Sequence, residues 1–340
     1  MVTGDMGPDA ALGIGVVISE AAVGGLFHGD DRTRLERLGA VRWHAGPAAP
    51  DLDEAAALLA GCAVGVGSWG TPGPSPELLA RCPGLRLWLH AAGSVRHLVG
   101  PHTQRHGLVV ASCAPAIAAG VAEYTLGWLI VGLRRAPEDA ALNRTWRGGP
   151  RPQVTPRRTL HESTIGVVGA SQVGRRVIEL ARPLSAGVRV FDPFLSDTDA
   201  AALAVTRVES VRDLCASCDA VTLHTPALPA THHLVGRAEL AAMQEGTLFI
   251  NTSRGSCVDE AALIEALRGG RISAVLDVSD PEPAAPDSPL RSLPNVVLTS
   301  HIAGGASRRI GTQVVDDIER FLRGQMPLFV VDAAMLDRVA

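Results

Sequence analysis

Short apolar runs alternate along the chain with polar turns rich in Gly and Pro, and their spacing predicts the elements. In the first third, the runs Gly13–Ile18, Ala63–Val66, Leu85–Leu89 and Leu108–Val110 predict strands, with helices at Leu52–Leu59 and Pro76–Ala80 between them. From Thr164 onward the pattern is more regular. Strands are predicted at Thr164–Val168, Val188–Phe191, Ala220–Leu223, Thr247–Ile250, Ile272–Leu276 and Val296–Leu298, with helices over 172–183, 209–216, 236–243 and 258–268. Strands that alternate with helices in this way predict an α/β fold of doubly wound parallel sheets, whose functional crevice lies outside the carboxyl ends of the strands.

Two segments join the halves. A helix is predicted over Ala116–Leu133, on which Tyr124 and Trp128 read as packing residues, and the polar stretch NRTWRGGPRPQVTPRRTLHES after it reads as a surface loop between domains. Near the end, Ile310, Val314, Val315, Ile318 and Phe321 recur at helical spacing, so Ser307–Leu322 is expected to return the chain to the first layer.

Composition narrows the function classes. The 340 residues suffice for two domains, and 46% hydrophobic against 19% charged residues excludes long disorder. A net charge of -4 gives no reason to expect a nucleic-acid partner. Six scattered cysteines are too few for a disulfide scaffold. The opening MVTGDMGPDA lacks the basic region of a signal peptide, and the apolar stretch Val121–Leu133 is interrupted by Glu123 and Tyr124, so a soluble cytoplasmic protein without a membrane partner is expected. Cys215 and Cys218 read as small buried residues on a helix end, His232 and His233 have no company of further ligands, and no metal is expected.

The strongest chemical signal is TIGVVGASQVGRRV followed by VRVFD. Gly169 and Gly174 follow a strand and open a helix, and Asp192 ends the next strand, as in a dinucleotide fingerprint with its distant acid. The helix start offers N–H groups to a pyrophosphate, and Asp192 offers a carboxylate to the adenosine ribose, which favours NAD over NADP. Ser171 stands at the middle position, where its Cβ crowds the backbone approach and its hydroxyl can contribute a hydrogen bond instead. Arg175 reads either as a pyrophosphate contact or as a surface charge.

Three late segments, FINTSRG at 249–255, LDVSDPEP at 276–283 and LTSHIAGG at 298–305, each begin where a predicted strand ends. With AAGSV at 91–95, VAEYTL at 121–126, LHTP at 223–226 and IERFLRG at 318–324, they make the chain resemble the D-isomer-specific 2-hydroxyacid dehydrogenases. The resemblance runs from about residue 50 to 333 and places the family's catalytic residues on Arg254, Glu282 and His301. Their chemistry agrees. An Arg clamps a carboxylate and its neighbouring carbonyl, a His exchanges a proton with the carbonyl oxygen, and a Glu orients the imidazole.

The resemblance further implies cofactor contacts at Gly169, Ser171, Gln172, Val173, Gly174, Asp192, His224, Thr225, Pro226, Thr231, Thr252, Asp277 and Gly304, and substrate contacts at Ala92, Gly93, Ser94 and Arg254. Arg96 is a candidate for a second negative group on the substrate, as in a phosphorylated acid. Ser300 replaces the family's usual Pro before the His. The implied architecture is a substrate domain over 1–125 completed by 306–340, an NAD-binding Rossmann domain over 126–305, an active-site cleft between them, and a homodimer. The implied reaction is NAD-dependent interconversion of a small 2-keto acid and a D-2-hydroxy acid, with glyoxylate and hydroxypyruvate as first substrates. Two other members of the wider family remain open alternatives: an NAD(H)-sensing corepressor and a phosphite dehydrogenase.

Overall fold

A computed structural model describes residues 12–150, 153–154, 156–305 and 307–339. The signal-peptide reading of residues 1–10 lies outside them. The chain forms two compact units, Met1–Ile117 with Ala306–Ala340, and Ala118–Gly305. Residues 118–125, expected in the first domain, therefore belong to the second.

The first unit holds strands β1 (Gly13–Val16), β2 (Ala40–Trp43), β3 (Val64–Gly67), β4 (Leu87–His90) and β5 (Val109–Ser112). They pair in the order β2-β1-β3-β4-β5, all parallel, which is the flavodoxin-like order. Its helices are α1 (Glu20–Leu26), α2 (Asp31–Leu38), α3 (Leu52–Leu59), α4 (Pro76–Arg81) and α5 (Pro101–His106). Helix α6 (Ala114–Leu133) carries the chain into the second unit. Residues 20–43, which the apolar pattern left unassigned, fold as α1, α2 and β2. They escape a hydrophobic reading because α2 buries only Asp31 and Leu35, and because edge strand β2 is nowhere fully buried.

The second unit adds α7 (Ala136–Thr145), β6 (Thr164–Val168), α8 (Gln172–Ala181), β7 (Gly187–Phe191), α9 (Asp197–Leu203), β8 (Thr206–Arg207), α10 (Val211–Ser217), β9 (Ala220–Leu223), α11 (Arg237–Ala242), β10 (Leu248–Asn251), α12 (Glu260–Arg268), β11 (Ser273–Leu276) and β12 (Val296–Leu298). Its parallel sheet runs β12-β11-β10-β9-β6-β7-β8, a Rossmann order whose direction reverses between β6 and β9. Helix α7 takes the first three residues of the stretch read as a loop. Pro137 at its start and the acidic Glu138 and Asp139 in its first turn favour that helix.

Apolar side chains cover both faces of each sheet, which is why the strands read as continuous runs. The C-terminal α13 (Arg309–Leu322) places Ile310, Val314, Val315 and Ile318 in the core of the first unit. Helix α6 is long and apolar enough to cross a membrane by length and composition, with mean hydropathy 1.6. Its Ala122, Leu129 and Leu133 instead pack in the core of the second unit beside Ile165, Val167 and Ile250. All six cysteines are free and buried, and burial pushes the Cys215 thiol up to about 12 and Cys218 up to about 11, the state of packing residues.

Candidate active site

The crevice at the sheet's reversal is built by two glycines. Gly169 follows β6 with φ +94°, and a Cβ there would stand 3.0 Å from the carbonyl oxygen of His224. Gly174 lies in the first turn of α8, where a Cβ would come within 1.9 Å of the Gly169 oxygen. Ser171 is the N-cap of α8. Its hydroxyl accepts from the Gly174 amide (3.3 Å) and donates to the His224 carbonyl (2.8 Å). The serine hydrogen is thus held by the protein rather than offered to a pyrophosphate, which corrects the expectation for that position. The amides of Gln172 and Val173 remain at the positive end of the helix.

Asp192 sits beside the same turn. Its Oδ2 accepts from the Ala170 amide (2.7 Å) and its Oδ1 from the Phe194 amide (2.7 Å), so the carboxylate is aimed while each oxygen keeps a lone pair for a ribose hydroxyl. Arg175 folds onto the turn, its Nε donating to the Ala170 carbonyl (3.1 Å). Beyond β9, the His224 ring accepts or donates one hydrogen bond with Thr222 Oγ1 (3.0 Å), and burial pushes its pKa down to about 3, so the ring is neutral near pH 7. Its Nδ1 and the neighbouring Thr225 Oγ1 are buried without a hydrogen-bond partner among the described residues. Buried polar atoms seldom stay unpaired, and these two lie across the reversal point from Gly169. The glycine cradle, the aimed carboxylate and these orphaned atoms all fit a nicotinamide dinucleotide. Thr231 has a different part. Its hydroxyl donates to the Pro226 carbonyl (2.5 Å) and accepts from the Leu228 amide (2.9 Å), so it shapes the 226–231 loop and has no hydrogen left for a cofactor.

Three neighbouring strands deliver the other candidates. Asn251, Leu276 and Leu298 are in register at the ends of β10, β11 and β12, so the loops bearing Arg254, Glu282 and His301 leave from one rim. Asn251 staples the first loop, with Oδ1 accepting from the Ser253 amide (2.9 Å) and Nδ2 donating to the Arg254 carbonyl (2.9 Å). Gly255 admits the second loop: a Cβ there would lie 2.0 Å from the Ser279 oxygen. Arg254 is half-buried, with Nη1 donating to the Ser253 carbonyl (2.8 Å). Thr252, expected at the cofactor, has its hydroxyl against that of Thr125 on α6 (3.3 Å).

The third loop carries a strained histidine. His301 has φ +54°, a left-handed conformation that costs a non-glycine residue about 1–2 kcal/mol. Its amide donates to the Asp277 carbonyl (2.8 Å). The Asp277 carboxylate accepts from Thr299 Oγ1 (2.5 Å), the Ile302 amide (2.9 Å) and the Ala303 amide (2.8 Å). Asp277 was expected at the cofactor, yet it is 1% exposed and its carboxylate is directed at the loop it organises, because a buried carboxylate requires such donors. His301 Nδ1 meets Glu282 Oε1 at 2.6 Å, leaving Nε2 for a reacting oxygen. The two side chains are 46% and 38% exposed, so solvent screens their attraction and the value of the pair is orientation. Gly304 lies in the turn that follows.

In the first unit, the loop after β4 is pinned by its carbonyls. Ser68 Oγ donates to the Ala91 oxygen (3.1 Å), and Ser112 Oγ reaches the oxygens of Ala92 (3.1 Å) and Gly93 (2.6 Å). In a trans peptide the following N–H points the opposite way, so the amides of Gly93 and Ser94 are directed away from Ser112. Arg96, a candidate for a second substrate anion, donates through Nη1 to the Leu336 carbonyl of the C-terminal segment. Asn251, Gly255 and Ser112 were not singled out from sequence. The only signal for Asn251 and Ser112 is a polar residue closing an apolar strand.

The chain matches the family described as D-isomer specific 2-hydroxyacid dehydrogenase, NAD binding domain, over residues 128–303. It is 33% identical over 230 residues to the D-3-phosphoglycerate dehydrogenase of Methanocaldococcus jannaschii, covering 66% of this chain and 43% of that one. It is 34% identical over 253 residues to the (S)-sulfolactate dehydrogenase of Chromohalobacter salexigens, covering 72% of this chain and 80% of that one. Among solved structures, a D-isomer specific 2-hydroxyacid dehydrogenase from Xanthobacter autotrophicus Py2, in complex with NADPH and MES, superposes with a TM-score of 0.74 at 26% identity, covering 96% of this chain and 100% of that one. The chain spans about half the length of the phosphoglycerate dehydrogenases it matches, 43%, 47% and 54% in three of them. With these matches and the nicotinamide-binding geometry together, the chain belongs to the D-isomer specific 2-hydroxyacid dehydrogenase family.

Proposed function

We propose that the protein is an NAD-dependent oxidoreductase that interconverts a small 2-keto acid and a D-2-hydroxy acid. The observation that carries this reading is the 2.6 Å contact of His301 with Glu282, on the same sheet rim as Arg254. The bound nicotinamide supplies or accepts the hydride. The Arg254 guanidinium forks onto the substrate carboxylate and the adjacent oxygen, which orients C2. Glu282 holds the Nδ1 side of the imidazole, so that Nε2 delivers a proton to the carbonyl oxygen during reduction and removes it during oxidation.

The carboxylate of Asp192 favours NAD, since it would repel a 2′-phosphate. The contact of Arg96 Nη1 with the Leu336 carbonyl ties this side chain to the C-terminal segment, which supports glyoxylate and hydroxypyruvate as first candidates. A homodimer is supported by apolar side chains exposed on and just after α6 and α7: Ile130 at 46%, Val131 at 41% and Trp146 at 39%. Six free thiols fit the reducing cytoplasm.

The test is loss of NADH absorbance with glyoxylate, hydroxypyruvate, pyruvate, phenylpyruvate and phosphohydroxypyruvate, with NADPH in parallel. Turnover is expected with at least one acid, and His301→Ala is expected to lower kcat by about 10²–10⁴-fold with NADH binding intact. Tight NADH binding without turnover of any acid would reject the dehydrogenase reading and favour a sensing role.

A further inference from the structure

We infer that Tyr124 is a positioning residue for His301, acting through Thr299 and Asp277. The inference rests on the role proposed above for His301. Tyr124 is the chain's only tyrosine and lies on α6, 175 residues from the hydroxyl it meets, Thr299 Oγ1 at 2.8 Å. The direction of this bond follows from its neighbours. Each Asp277 carboxylate oxygen already accepts an amide hydrogen, from Ile302 and from Ala303, so the carboxylate acts as acceptor and Thr299 gives it the hydroxyl hydrogen (2.5 Å). A hydroxyl has one hydrogen, so in the Tyr124–Thr299 contact the tyrosine donates.

The result is a relay from α6 to the loop that bears the proton-transfer residue. Thr299 opens that loop with its amide on the Leu276 carbonyl (2.9 Å), and Asp277 holds the three residues that follow Ser300: His301 by its backbone carbonyl, Ile302 and Ala303 by its carboxylate. The donation from Tyr124 keeps the Thr299 hydroxyl turned toward Asp277, since it fills the acceptor side of that hydroxyl. This matters because the loop holds His301 left-handed at φ +54°, a conformation that persists only where its surroundings enforce it. The Tyr124 ring is kept in place separately, edge-on to Trp128 with centroids 6.1 Å apart. Phenylalanine at 124 therefore preserves the packing and removes only the donor.

The experiment compares the full-length wild type with Tyr124→Phe, Thr299→Val and Thr299→Ser. Two readouts are taken: hydrogen exchange over residues 299–305 without substrate, and steady-state kinetics with the best acid of the panel. Tyr124→Phe is expected to speed exchange in this segment and to lower kcat by about tenfold, the rate equivalent of one hydrogen bond, with KM for NADH changed by less than about twofold. Thr299→Val is expected to do the same, and Thr299→Ser, which keeps the hydroxyl, to restore both readouts toward wild type. Wild-type exchange and kcat in Tyr124→Phe would overturn the proposal, and so would an effect of Thr299→Val that Tyr124→Phe does not share. Faster exchange with unchanged kcat would overturn the link to His301. A wild type inactive on every acid sinks the dehydrogenase reading instead, and the exchange readout still decides whether Tyr124 holds the loop.

Discussion

The Ser171 hydroxyl donates to the carbonyl of His224 across 2.8 Å and so ties the glycine turn after β6 to the end of β9. The same oxygen caps α8 through the Gly174 amide. One side chain therefore closes both sides of the crevice in which the cofactor's pyrophosphate is expected. Ser171→Ala is expected to lower stability by about 1 kcal/mol, the usual cost of a lost serine cap, and Ser171→Gly by only a few tenths. Thermal unfolding of the two variants checks this. No loss in Ser171→Ala would show that the hydroxyl is not the stabilising group.

Asp192 is aimed by two backbone amides, Ala170 and Phe194, both at 2.7 Å. Asp192→Ala removes the acceptor for the ribose and the repulsion of a 2′-phosphate together. The ratio of kcat/KM for NADH over NADPH is expected to fall by about tenfold or more. An unchanged ratio would show that discrimination resides elsewhere.

His90 and His224 make both units sensitive to acid. Each is buried, and burial pushes His90 down to about 4 and His224 down to about 3, from 6.5. The unfolded chain binds these protons more readily, so stability is fully present above pH 6.5 and declines as pH falls toward 4 and then 3. Near pH 5 each histidine is expected to cost about 2 kcal/mol. Neither ring nitrogen of His90 has a hydrogen-bond partner among the described residues, so His90→Leu removes a titrating group without stranding another. Its melting temperature should fall less than that of the wild type between pH 7 and pH 4.5. Parallel curves would reject this account.

Arg96 anchors the C-terminal segment through the Leu336 carbonyl. Met335, Leu336 and Val339 pack against the cluster that contains Val95, Leu98 and Val99. Arg96→Ala should expose residues 332–339 to limited proteolysis while leaving the preference between hydroxypyruvate and phosphohydroxypyruvate unchanged. A selective loss of phosphohydroxypyruvate reduction would return Arg96 to the substrate site.

Apolar runs and punctuating residues were sufficient to read the inner strands of the two parallel sheets, though not the edge strands β2 and β8, and with them the glycine turn at Gly169 and Gly174, the acid at Asp192, and the strand ends that bear Arg254, Glu282 and His301. Burial of both sheet faces writes itself into sequence as local composition, and glycine at 169 meets both a φ of +94° and the close approach of His224. The strands' polar last residues, His90, Ser112 and Asn251, escaped that reading because they stay in the ladder through register with neighbours rather than through their own hydrophobicity. Tertiary structure alone decided how the polar groups were used. It turned Ser171 to His224, Thr231 onto its own loop, Asp277 under His301, Arg96 toward Leu336 and Tyr124 toward Thr299. Except for Thr231, these partners lie between 22 and 240 residues apart along the chain. A hydrogen bond depends on which two atoms come within 3 Å after the crossovers have closed, and no periodicity within a single segment records that.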